Sequence, residues 1–102
     1  MTELGPAERV YLVLHAIPTG CWSTYGDVAL LAGLPRRARF VGQLLSKLPQ
    51  DSTLPWHRVM NAQGRIAFET NDPRISRQLN DLAQEGLSPI SGRFPASARW
   101  QG

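Results

Sequence analysis

The chain has 102 residues, 42% of them hydrophobic, with a net charge of +3 and one cysteine. That is the size of one domain, able to bury about two-thirds of its unfolded surface and build a core without staples. A lone cysteine excludes a disulfide framework and a cysteine metal cluster, and no apolar run suits a membrane span or a secretion signal, so one soluble, cytoplasmic domain over residues 1–102, without a cofactor, is expected.

Pro6 suits the first position of a helix, and Ala7, Val10, Tyr11, Leu14 and Ile17 form one apolar stripe at helical spacing before Pro18 and Gly20 end it. Thr24-Tyr25-Gly26-Asp27 reads as a capping box, with Thr24 as N-cap and Asp27 reaching back. The helix it opens, through Val28, Leu31 and Ala32, stops at Gly33. Pro35 then opens a second helix that runs to about Leu48, where Pro49 ends it. Two short helices around a tight glycine turn, over about 24–48, make a helix-turn-helix. Ala38, Val41, Leu45 and Leu48 form the second helix's buried stripe, and Arg36, Arg39, Gln43 and Lys47 the opposite one.

Residues 59–68 read as a hairpin about Asn61-Ala62-Gln63-Gly64. Asp72-Pro73 gives a cap and first-turn proline for a last helix over 73–85, with Ile75, Leu79, Leu82 and Ala83 facing inward and Gly86 closing it. The tail, 87–102, is expected to be extended and packed on the body, fraying near Trp100. The fold class is therefore mainly α with a small β-hairpin, resembling a winged helix-turn-helix.

Charge is unevenly spread. Residues 1–35 balance to −2 and residues 36–77 to +5, while the remainder is neutral. Ten of the eleven basic residues are arginine, which suits bidentate contact with phosphate and stacking on bases. Clustering of that charge on a helix-turn-helix points to nucleic acid. Gly42, mid-helix at a cost of about 1 kcal/mol relative to alanine, points to close packing on a neighbouring helix or to close approach of a DNA backbone.

Pro55-Trp56-His57-Arg58-Val59 is the most informative stretch. With Ser23-Thr24-Tyr25, Leu31-Ala32-Gly33 and Arg39-Phe40-Val41-Gly42 at the matching spacing, residues 20–86 resemble the DNA-binding domain of the O6-alkylguanine-DNA alkyltransferases. Those enzymes carry Pro-Cys-His-Arg-Val; an indole at Trp56 has no thiolate to attack with. The chain thus resembles the alkyltransferase-like proteins, which bind the lesion without the transfer.

The resemblance implies double-stranded DNA containing O6-alkylguanine as ligand, bound through the minor groove by a monomer, and nucleotide-excision repair proteins as partners. It also implies shielding of lesions from active alkyltransferases and a place on the nucleoid if the source is bacterial. Tyr25 and Arg39 match the tyrosine and arginine that extrude the nucleotide. Trp56 would wall the pocket, with His57 and Glu85, the counterparts of the cysteine relay, holding it by hydrogen bonds. Thr24, Tyr25, Arg36, Arg37, Arg39, Gln43, Lys47, Arg58 and Arg65 are the expected DNA contacts. Arg58 either braces the second helix or meets phosphate. Leu48 replaces a hinge asparagine of the enzymes, and Phe68-Glu69-Thr70 stands where relatives have a lesion-reading basic residue, leaving Arg65 or Arg74 as substitutes. Two other readings remain: a winged-helix, sequence-specific regulator, and residual alkyl transfer through Cys21.

Overall fold

In the computed structural model, which describes residues 3–102, the first apolar stripe folds as α1, Pro6–Ala16, burying Val10 and Leu14, with Ile17 buried just beyond its end. The second helix, α2, spans Tyr25–Leu31. Thr24 Oγ1 caps it by accepting the Asp27 N–H at 3.0 Å. The return half of the capping box does not form, because the Asp27 carboxylate accepts instead from Arg99 at 2.9 Å. Val28, Ala29 and Ala32 face the core, whereas Leu31 is exposed. Gly33 then turns the chain at φ +76°, a conformation that glycine takes without steric cost.

The next helix starts later than its proline suggests: α3 spans Ala38–Ser46. Leu34, buried, donates its N–H to the Ala29 carbonyl at 2.8 Å. That bond pins the chain to α2, and Pro35 and Arg36 spend themselves on a reversal, Arg36 at φ +66°. Val41 is fully buried, with Ala38, Leu45 and Leu48 half-buried beside it.

The expected hairpin over 59–68 is replaced by a long-range pairing. Two short parallel strands, β1 (Ser23–Thr24) and β2 (Val59–Met60), align Ser23 with Val59 and Thr24 with Met60. The Asn61–Gly64 turn is present, with the Asn61 N–H donating to Arg65 O at 3.0 Å, but Arg65–Phe68 forms no strand. Val59 and Met60 are fully buried, and burying them against β1 outweighs the local turn preference. Because successive strand residues point to opposite faces, Val59 joins a core with Val10, Leu14, Val28 and Val41, and Met60 a second with Trp22, Leu82, Leu87 and Phe94.

The last helix, α4, spans Arg74–Gln84, and Asp72 caps it by accepting the Arg74 N–H at 2.9 Å. Its inward face is Gln78 and Leu82, with Ile75 and Leu79 half-buried; Ala83, expected inside, is exposed. Burial of Gln78 is compensated because its Nε2 donates to the carbonyls of His57 and Val59 at 3.0 and 3.1 Å. The tail does not fray near Trp100. It lies along β1, with Trp22 donating its N–H to Ala98 O at 3.0 Å and accepting the Trp100 N–H at 2.6 Å. Among the described residues no helix is long and apolar enough to cross a membrane.

Candidate nucleic-acid interface

The start of α2, the second half of α3 and the start of α4 converge on a small cavity, about 100 Å³ and open to solvent on one side. Leu45 and Leu48 give it apolar wall, Tyr25 and Trp56 close two sides, and Arg74 and Arg77 line its rim. The 3₁₀ turn Trp56–Arg58 presents the indole. Trp56 is half-buried, edge-on to His57 at 6.5 Å and to Phe68 at 6.0 Å between centroids. It forms a wall, not core filling.

Tyr25 is held at the first position of α2 by the Thr24 cap, directly across from Gly42: a Cβ on that glycine would sit 4.0 Å from the tyrosine ring. Burial pushes the Tyr25 phenol up, against a smaller pull from Arg74. The hydroxyl therefore stays neutral at pH 7, able both to donate and to accept.

Behind the indole, Glu85 ties three segments together. Its carboxylate shares a 2.6 Å bond with His57 Nε2, accepts from Arg58 Nε and Nη2 at 2.9 Å each, and accepts the Gly20 N–H at 3.0 Å. Burial alone would raise this carboxyl, but the bonds from Arg58, Gly20 and His57 outweigh it and hold Glu85 at about 2. With Glu85 ionised, His57 Nε2 is the donor. Arg58 also donates to Ile17 O at 2.9 Å and Thr19 Oγ1 at 3.1 Å.

On the solvent side, Arg36, Arg37, Arg39, Gln43 and Lys47 are all exposed along α3 and the turn before it. Arg37 lies 5.0 Å over the Phe40 ring. No carboxylate occurs between Pro35 and Gln50, so this face is uniformly cationic.

This geometry bears on four expectations. Thr24 is 3% exposed and its hydroxyl is engaged as the cap, so it positions Tyr25. Arg58 braces the loop after α1 and the end of α4 in place of α3, its nitrogens donating to Ile17 O, Thr19 Oγ1 and Glu85. His57 and Glu85 buttress the pocket without lining it. Arg65 is exposed with its guanidinium against Gly92 of the tail, outside the cavity, whereas Arg74 lines it.

Arg77 and Phe68 are pocket residues that sequence reasoning missed. For Arg77 a signal existed: two arginines three apart at a helix start, where the dipole disfavours positive charge. Cys21 is half-buried against the first core and is not a lining residue. Among the described residues, no three His, Cys, Asp or Glu side chains are grouped to hold a metal ion.

Residues 6–87 match the family described as 6-O-methylguanine DNA methyltransferase, DNA binding domain. The chain belongs to that family. Within the methyltransferase DNA-binding family it is similar to the DNA base-flipping protein of Escherichia coli K12, 51% identical over 85 residues. That match covers 83% of this chain and 64% of the relative, so the chain spans less than two-thirds of its length. The DNA base-flipping protein of Vibrio parahaemolyticus is 46% identical over 95 residues, covering 91% of this chain and 93% of the relative. Among solved structures, S. pombe Atl1 in complex with damaged DNA containing O6-carboxymethylguanine superposes with a TM-score of 0.84 at 32% identity, over 100% of each chain. The family match contains α1 to α4 and every cavity residue; the tail strapped along β1 lies beyond it.

Proposed function

We propose that this protein is a non-enzymatic sensor of alkylated DNA. It holds duplex DNA by the cationic face of α3 and extrudes O6-alkylguanine through the minor groove with Tyr25 and Arg39. The base is received in the cavity walled by Trp56. The observation that carries this reading is the meeting of Tyr25, Gly42 and Trp56 around one open cavity, with Arg39 a helical turn from Gly42 on the same helix. A flipped base entering there finds an indole to stack on and apolar wall for its alkyl group. The relatives named for base flipping, and the similar structure solved on damaged DNA, support the same reading.

Transfer chemistry would need a nucleophile beside His57, and the neighbouring side chain is the Trp56 indole. The alternative nucleophile, Cys21, lies outside the cavity. The complex therefore persists, marking the site for nucleotide-excision repair in the cytoplasm and screening it from active alkyltransferases. Titrating the protein against matched duplexes, with and without one O6-methylguanine, tests the reading: the lesion duplex binds tighter, and equal affinities reject it. The protein mass stays unchanged after incubation with the lesion duplex; a gain of one methyl group assigns it to the enzymes instead.

A further inference from the structure

Arg74 and Arg77 have no part in extrusion as proposed, and their placement runs against the local field. Both lie within the first four residues of α4, whose first turn holds no acidic side chain, at the end of the helix where the dipole opposes positive charge. Asp72, just before the helix, pairs with Arg74 at 2.6 Å, and Asp81 comes only to 4.0 Å of Arg77.

Both guanidiniums nonetheless line the cavity, and each is braced on an aromatic ring. Arg74 lies 4.2 Å over Phe68 and Arg77 5.6 Å over Trp56. Arg77 is fixed further by donating to Gln50 O at 2.7 Å. No carboxylate is among the lining residues. Arg74 already gives its Nε and Nη2 donors to the Asp72 carboxylate. The cavity is thus an apolar slot with one cation free of a carboxylate hydrogen bond, Arg77, at its rim, and a guanidinium can present paired N–H donors that match a carboxylate.

We infer that Arg77 makes the cavity selective for O6-alkylguanines whose alkyl group ends in a carboxylate, over neutral groups of equal size. This rests on the lesion-pocket reading above. Three duplexes that differ at one base are titrated at fixed salt: O6-carboxymethylguanine, its neutral analogue O6-carbamoylmethylguanine, and guanine. The carboxymethyl duplex binds about tenfold tighter than the amide, the scale of one charge-assisted hydrogen bond. Arg77→Gln brings that ratio toward one, Arg77→Lys keeps part of it, and Arg74→Gln, whose guanidinium is held by Asp72, changes it less. If both lesions exceed guanine but equal each other, the inference falls and the pocket reading stands. If neither exceeds guanine, the pocket reading itself fails. If Arg77→Gln weakens all three duplexes alike, the arginine serves DNA phosphate and the selectivity is overturned.

Discussion

At the scale of single residues, Trp56 and Glu85 divide the labour between recognition and support. Trp56 is half-buried and packs edge-to-face with the rings of His57 and Phe68, while Arg77 lies over one face of the indole. Trp56→Ala should cost about 1–3 kcal/mol of lesion affinity, the worth of one base–aromatic contact, with binding to intact duplex nearly unchanged in the same titration. Glu85 is different, because no ligand touches it in the proposed complex. Its side chain is 11% exposed and bridges His57, Arg58 and Gly20.

A carboxyl held at about 2 against an ordinary 4.5 binds its proton more readily when unfolded. Its stabilisation is therefore complete above about pH 4.5 and is lost as the pH falls toward 2. The upper bound is about 3 kcal/mol, lowered by solvent at the open edge of the network. Urea unfolding at a series of pH values should show this acid loss in the native protein. Glu85→Gln should lower stability at pH 7 by about 2–3 kcal/mol, since Arg58 is left without its anion, and should flatten the acid limb.

At the scale of elements, what the sequence revealed and what it hid have separate physical causes. Pro6, the Thr24 cap and the Asp72-Pro73 cap are local chemistry, and α1, α2 and α4 begin where those residues place them. The α3 start and the hairpin failed because distant partners overruled local signals. Leu34 is bound back to Ala29, which spends Pro35 and Arg36 on a turn, and Val59-Met60 finds its partner 36 residues earlier in β1. Gln78 was invisible as a core residue because its burial depends on the carbonyls of His57 and Val59. At the cavity, Tyr25 and Trp56 were legible through the resemblance of their motifs, whereas Arg77 reaches it through the packing of α4 and Phe68 through the loop before that helix.

Of the two roles the sequence offers Gly42, close packing on a neighbouring helix and close approach of a DNA backbone, the first demands a tighter fit than the geometry shows. A Cβ there would meet nothing nearer than the Tyr25 ring at 4.0 Å. Gly42→Ala should consequently raise stability by about 0.5–1 kcal/mol through helix propensity, seen as a higher urea midpoint at constant slope. Gly42→Leu should extend into the cavity and abolish the preference for the lesion while leaving intact-duplex affinity in place. Retention of that preference by the leucine variant would place the lesion elsewhere.

At the scale of the whole molecule, charge is segregated in a way that separates holding DNA from reading it. The first 35 residues balance to −2 and residues 36–77 to +5, and Arg58 and Arg74 are paired with Glu85 and Asp72. The cations left for DNA are mainly those of α3 and its preceding turn. Affinity for intact duplex should fall linearly with salt on logarithmic axes, with a slope set by the few phosphates those side chains neutralise. Lys47 stands at the end of α3, two helical turns beyond Arg39. Lys47→Ala should reduce that slope by about one and weaken lesion and intact duplexes equally. Arg39→Ala should also lower the slope, but it should remove more affinity from the lesion duplex than from the intact one. The excess arises because the guanidinium fills the stack only when a base has left it. Measuring both variants on both duplexes across a salt series separates the two roles, and an Arg39→Ala loss equal on the two duplexes would reduce that residue to another phosphate ligand.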